Sequence, residues 1–220
     1  MIPWHAIQTV LLDMDGTLLD LHYDNYFWLK HVPVRYAEKH GLSLADSHRE
    51  LIGRYASVAG TMQWYCVDYW STELGLDIER LKQEVAHLIA VHPQVVPFLE
   101  QVHAQGKRVV LVTNAHHKSL ALKMDKTGLS TYFDALISAH TLGLPKEHSE
   151  FWHKLQTLEA YDPQHTLLID DSLPVLRSAR GYGIAHLLAI YQPDTRQPRK
   201  EVGEFEAIER FEQIMPGSQQ

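Results

Sequence analysis

A chain of 220 residues, 45% of them hydrophobic, can fill one sizeable core and a smaller insertion without invoking disorder. Its formal charge of −7 argues against a nucleic-acid groove, which calls for a basic face, but admits a small anionic ligand whose charge is offset locally.

The first predicted element is a strand, the apolar run Thr9-Val10-Leu11-Leu12, which leads directly into Asp13-Met14-Asp15-Gly16-Thr17. Alternate side chains of an extended segment point the same way, so Asp13 and Asp15 can converge on one reacting centre where the strand ends, and Gly16 lets the backbone bend sharply. One such carboxylate can attack phosphorus and hold a divalent cation while the other moves a proton to or from oxygen.

From about Asp20 to His92 the periodicity is helical, with no convincing strand. Leu51, Ile52, Tyr55 and Val58 are expected to share one face, as are Ile78, Leu81, Val85, Leu88 and Ile89 behind an Asp77 cap. This insertion is rich in aromatic residues: Tyr23, Tyr26, Phe27, Trp28, Trp64, Tyr65, Tyr69 and Trp70 all lie in it. They can fill a local core or offer a stacking face for a base, and Asp24 and Asn25 are candidate polar contacts to a substrate.

Beyond Pro93 a helix ends near Gly106, and the strand Arg108-Val109-Val110-Leu111-Val112 runs into Thr113-Asn114, a hydroxyl and an amide suited to phosphate oxygens. A helix through Leu120 and Met124 stops near Gly128, followed by a short strand at Ala135 to Ser138. Lys146, in Leu144-Pro145-Lys146-Glu147, is a point charge in a loop. A helix around Phe151 to Leu158 precedes the strand Thr166-Leu167-Leu168-Ile169, which opens into Asp170-Asp171-Ser172, an acidic pair suited to Mg²⁺. A helix over about Pro174 to Arg180 and a last strand at Ala185 to Ile190 complete an α/β doubly wound parallel sheet. The polar tail from Gln192 reads as surface wrapping with one short helix. In such sheets ligands sit beyond the carboxyl ends of the strands, where Asp13, Thr113 and Asp170 emerge.

The ordered set of Asp13-Met14-Asp15-Gly16-Thr17, Thr113-Asn114, Lys146 and Asp170-Asp171 resembles the four motifs of the haloacid dehalogenase (HAD) superfamily of phosphohydrolases, over nearly the whole chain. Roughly ninety residues separate the first two motifs, room for the helical cap that many members carry. The resemblance implies a HAD-like Rossmannoid core of residues 1–19 and 93–220 and a cap of residues 20–92. A closer resemblance, to bacterial purine 5′-nucleotidases acting on GMP and IMP, is carried by Leu21-His22-Tyr23-Asp24-Asn25-Tyr26-Phe27-Trp28, Trp64-Tyr65-Cys66-Val67-Asp68-Tyr69-Trp70, Thr113-Asn114-Ala115-His116 and Asp170-Asp171-Ser172-Leu173-Pro174-Val175-Leu176.

By this resemblance Asp13 is the nucleophile, forming an aspartyl-phosphate. Asp15 is the acid and base; dehalogenase members lack this second acid, so Asp15 points to a phosphatase. Thr113, Asn114 and Lys146 hold the substrate phosphate. Mg²⁺ is held by Asp13, the Asp15 main-chain carbonyl and Asp171, with Asp170 behind them or bound through water. Pro174 and Val175 stand where some members place a further acidic residue, which leaves the division between Asp170 and Asp171 open. Asn25 is a candidate substrate contact from the cap.

The expected function is a Mg²⁺-dependent purine 5′-nucleotidase. The alternatives are a sugar-phosphate phosphatase or phosphomutase of the same superfamily and, from another class, an inactive binding protein on this fold. The expected partner is a small phosphomonoester, not nucleic acid or a membrane, and the protein is expected to be a monomer or homodimer. No run reaches membrane-spanning length and Met1-Ile2-Pro3-Trp4-His5 has no leader pattern, so a cytoplasmic location is expected. Cys66 is the single cysteine, which excludes an internal disulfide and reads as a core or cap thiol. The fifteen histidines are scattered, with His116-His117 the only adjacent pair, and none is assigned to a metal.

Overall fold

Short runs of Val, Leu and Ile with no charge in their interior belong in strands covered on both faces, because a parallel strand flanked by helices exposes neither side. The computed structural model, which describes residues 2–217, places them so. Six strands, β1 (Thr9–Leu12), β2 (Arg108–Thr113), β3 (Ala135–Ser138), β4 (Thr166–Ile169), β5 (His186–Ile190) and β6 (Ala207–Ile208), form one sheet in the order β3-β2-β1-β4-β5-β6. Every pairing is parallel.

The period of two sorts the strand residues onto opposite faces. Val10, Leu12, Val109, Leu111, Leu167 and Ile169 pack with Phe98, Leu99 and Val102 of the helix Val95–Ala104, and with Leu120 and Met124. Leu11, Val110, Val112 and Leu168 point the other way, onto Phe151, Trp152 and Leu155 of the helix Phe151–Leu158 and onto Val175, Leu176 and Ala179 of Leu173–Tyr182. Register then fixes the geometry of the strand ends. Leu12 lies level with Leu111 and Ile169, so the residues following β1, β2 and β4 emerge side by side at one edge.

Between β1 and β2 the chain is helical from His22 to Leu88 and packs around its own core of Tyr23, Phe27, Tyr36, Leu51, Trp70 and Ile78, among others. Trp70 is fully buried, with ring centroids of Tyr55 and Tyr69 each 5.1 Å away and that of Trp28 at 5.7 Å. Its indole N–H donates to the Trp64 carbonyl at 2.9 Å. Asp77 caps the helix Ile78–Glu84 by accepting from the Arg80 N–H at 3.0 Å. Between the helices His22–Tyr26 and Val32–His40 the backbone widens into a π-turn over Phe27–His31, with the Val32 N–H reaching back to the Phe27 carbonyl. Pro33, at the start of the next helix, has no N–H to offer the preceding turn, which suits a break in the regular ladder there.

Two expectations are corrected. Ile52 is 61% exposed while Leu51 and Tyr55 are buried, because the buried stripe of Leu44–Val58 runs through Ser47, Leu51, Tyr55 and Val58 and leaves Ile52 one position round the helix. The strand at His186–Ile190 is not the last: β6 pairs beside it, and the tail after Gln192 buries Val202, Phe205, Ile208, Phe211 and Ile214. A two-residue strand flanked by glutamates is too short to show alternation in sequence. No helix among the described residues is long and apolar enough to cross a membrane. Trp70→Ala is expected to cost about 3 to 5 kcal/mol, since it empties the centre of the helical segment's core; equilibrium urea unfolding reads this directly.

Candidate active site

Asp13 and Asp170 are the first residues beyond β1 and β4, and both are almost wholly buried. Two carboxylates side by side in a dry site require a cation, and Lys146 supplies it. Its Nζ lies 2.5 Å from Asp13 Oδ1 and 2.6 Å from Asp170 Oδ2, and also donates to the Val112 carbonyl at 2.9 Å. The lysine is itself 1% exposed. Asn114 fixes the approach of its loop: the amide oxygen accepts from the Lys146 N–H at 2.9 Å, and the amide nitrogen donates to Glu147 Oε2 at 2.9 Å. Tyr65, from the helical segment, donates its hydroxyl to the other Glu147 oxygen. Thr113 Oγ1 accepts from the Ala115 N–H at 3.0 Å, leaving its own proton to donate.

Burial raises Asp13 to about 6, helped by the charge of Asp170 and opposed by Lys146. Asp170 is likewise raised by burial against the pull of Lys146. Asp171 is pushed up to about 6 by burial, with Lys200 opposing; Lys200 Nζ is 3.0 Å from its Oδ2 and also donates to its main-chain carbonyl. One oxygen from each of Asp13, Asp170 and Asp171 lies within 4.8 Å of the others. Such an all-oxygen donor set fits a hard divalent cation. Both Asp170 oxygens already have protein donors, Lys146 on Oδ2 and the Ser172 N–H on Oδ1 at 2.8 Å, whereas Asp171 meets a single flexible lysine.

Asp15 faces the same cavity with a different cation. Lys123, buried on the helix His117–Thr127, sets its Nζ 2.6 Å from Asp15 Oδ1 and 2.6 Å from Asp24 Oδ2. Lys82 reaches Asp24 Oδ1 at 3.2 Å. Burial, with the charges of Asp24 and Asp13, raises Asp15 to about 6 despite Lys123. Burial also acts to raise Asp24, but Lys123 and Lys82 outweigh it and hold Asp24 below the usual carboxylate range.

Asp13, Asp15, Asp24, Asp170 and Asp171, with Lys82, Lys123 and Lys146, line one cavity of about 390 Å³ together with Trp28, Leu29, Trp64, Tyr65 and Asn25. Asn25 donates to Asp194 Oδ2 at 2.7 Å. The aromatic residues divide: Tyr23, Phe27 and Trp70 are buried core, while Trp28, Trp64 and Tyr65 reach the cavity wall.

The family model for haloacid dehalogenase-like hydrolases matches residues 7–183. The chain belongs to this family. Within it, the chain is 40% identical over 215 residues to the GMP/IMP nucleotidase YrfG of Escherichia coli (strain K12), covering 98% of this chain and 97% of that one. It is 24% identical to a phosphoglycolate phosphatase of Pseudomonas fluorescens (strain Pf0-1), over 99% and 82% of the two chains. The crystal structure of a HAD phosphatase from Thermococcus onnurineus superposes with a TM-score of 0.80 at 21% identity, covering 94% of this chain and 96% of that one.

Sequence reading missed Lys123, Lys82, Lys200 and Glu147. The first two carried a signal: Lys123 sits three residues after Leu120 and beside Met124, and Lys82 four after Ile78 and beside Leu81, so each interrupts an apolar stripe. A lysine there must be buried and paired. Lys200 lies outside regular structure and offers no such cue.

Gly16 has a left-handed φ of +84°, and a Cβ there would meet Asp171 Cγ and Pro193 Cβ at 2.9 Å each. Gly16→Ala is therefore expected to displace the Asp171 carboxylate and lower turnover about 100-fold, with a stability loss of about 1 to 3 kcal/mol; a variant with wild-type turnover would refute this close approach. Lys123→Gln strands two carboxylates and is expected to cost about 3 to 5 kcal/mol. Adding Asp24→Asn should recover part of that loss, which a double-mutant cycle in urea measures.

Proposed function

We propose that this hydrolase is a Mg²⁺-dependent purine 5′-nucleotidase working through an aspartyl-phosphate on Asp13. The observation that carries the reading is the facing of Asp13 and Asp15, each with its own buried lysine, onto one cavity. The full-length likeness to a relative named as a GMP/IMP nucleotidase supports the purine substrate.

In the first step an Asp13 oxygen attacks phosphorus in line, forming an O–P bond as the bond to the ribose 5′-oxygen breaks. That oxygen is a poor leaving group as an alkoxide, so Asp15 gives it a proton. In the second step water attacks the same phosphorus and gives a proton to Asp15, and the Asp13–phosphorus bond breaks, releasing phosphate. A carboxyl raised to about 6 is suited to both transfers near neutral pH. Asp13, Asp171 and the Asp15 main-chain carbonyl would hold Mg²⁺, with Asp170 behind them; the bound ion offsets the charge of the phosphate and of the clustered carboxylates. Thr113 and Lys146 contribute a hydroxyl donor and a positive charge to the phosphate, and Asn114, whose amide is committed to Lys146 and Glu147, positions that lysine. Residues 20–92 form the cap. Trp28, Trp64 and Asn25 on the cavity wall are the candidates for contacts to base and ribose, one stacked base being worth about 1 to 3 kcal/mol.

A phosphate-release screen tests the reading. GMP and IMP should be hydrolysed far faster than hexose phosphates, a chelator should stop turnover, and Asp13→Asn should abolish it while the circular dichroism spectrum stays that of the wild type. Faster release from hexose phosphates would remove the nucleotide assignment, and an active Asp13→Asn would remove the nucleophile.

A further inference from the structure

A second cluster of ligating side chains lies at the edge of the cavity, where His116 forms part of the wall, and has no part in the chemistry above. Its residues are far apart in sequence but close in the fold. Thr113 of β2 pairs with Ser138 of β3, so the segments leaving these two strands run together, one carrying His116 and the other His140. Ser138 locks them by donating its hydroxyl to the Ala115 carbonyl at 2.7 Å, while its oxygen accepts from the His140 N–H at 3.2 Å. The rings of His116 and His140 stand edge to face with centroids 4.8 Å apart. Cys66 comes from the helical segment, at the N-terminus of the helix Val67–Leu74, where its sulfur accepts from the Tyr69 N–H at 3.4 Å.

One ligand atom from each of Cys66, His116 and His140 lies within 4.8 Å of the other two. A separate observation points the same way. The Nε2 of His140 is buried with no hydrogen-bond partner. A buried imidazole nitrogen left without a partner is costly unless something fills the place.

We propose that Cys66, His116 and His140 form a binding site for one thiophilic divalent cation of the zinc class. One sulfur and two imidazole nitrogens are the donors such an ion prefers, and three protein ligands leave a fourth tetrahedral position for water. Bonds of about 2.0 Å to nitrogen and 2.3 Å to sulfur separate tetrahedral ligands by about 3.5 Å, so side-chain rotation closes the remaining gap. On binding, the Cys66 sulfur exchanges its proton for the metal and the proton passes to solvent. The hard-cation carboxylate set is chemically distinct, so Mg²⁺ does not compete well here. Because Cys66 belongs to the helical segment and both histidines follow strands of the sheet, the bound ion ties these two parts together and acts as a latch over the cavity. The site does not depend on the nucleotidase reading.

The test uses the full chain in excess Mg²⁺, which keeps the carboxylates occupied, with Zn²⁺ measured by chelator competition and Co²⁺ by absorption. Wild type should take up one equivalent of Zn²⁺ and, with Co²⁺, show a sulfur-to-metal charge-transfer band in the near ultraviolet. Cys66→Ser, which keeps a helix-capping oxygen, should lose the band and bind zinc about 100-fold more weakly. His140→Gln should weaken binding similarly, and Asp13→Asn should retain the band. Absence of the band from wild type, or equal zinc affinity in wild type, Cys66→Ser and His140→Gln, overturns the site. Zinc should also slow hydrogen exchange across residues 62–74 in wild type and not in Cys66→Ser; unchanged exchange in zinc-bound wild type overturns the latch.

Discussion

The carboxylates gathered at the carboxyl edge of the sheet could not be buried together without cations between them. Asp13 and Asp170 share Lys146, Asp15 and Asp24 share Lys123, and Asp171 leans on Lys200. Isolated, each carboxylate would protonate or pull in water; paired, they keep ionised forms within reach and face a common space. The arrangement also prepares the site for a phosphate dianion. Lysines already committed to carboxylates hold positive charge where the incoming anion needs it, with little reorganisation left to do at the moment of reaction.

That constraint explains how the loops are built. Lys146 must enter from a segment remote in sequence, and Asn114 and Glu147 exist structurally to deliver it: the amide of one grips the backbone N–H of Lys146 and the carboxylate of the other. Tyr65 completes the chain by donating from the helical segment to Glu147, so the position of the lysine depends in part on where that segment rests. Gly16 answers a different demand, the close approach of the first turn to Asp171, which no side chain would permit.

Much of the fold and half of the site were legible in sequence, for identifiable reasons. Buried parallel strands read as unbroken apolar runs, and the candidate site residues stand at their ends, so Asp13, Thr113 and Asp170 announce themselves by position. Lys146 followed from the resemblance and from its place in a loop. β6 is hidden because two residues carry no period, and Ile52 misleads because its hydrophobic identity says nothing of its angle on the helix. The paired lysines were overlooked because charge is read as surface by default. In Lys82 and Lys123 the helical period itself contradicted that default. The Cys66, His116 and His140 cluster has no linear spacing at all; it exists only because β2 and β3 lie side by side and the helical segment rests against their ends.

The two halves of the cavity are not independent. Lys82 Nζ sits 4.5 Å from the Phe27 ring centre and 5.5 Å from that of Trp28, so the buried Phe27 and the cavity-wall Trp28 both stabilise the charge on this lysine. Lys82 in turn bonds Asp24, Asp24 shares Lys123, and Lys123 holds Asp15. Burial lowers Lys82, which Asp24 counteracts, so any change in the packing of Trp28 alters how firmly Asp24 is held and how much of Lys123 is left for Asp15. The cavity wall and Asp15 are thus joined by one line of charged contacts. A change at Trp28 therefore bears on Asp15 through Lys82, Asp24 and Lys123 without touching it.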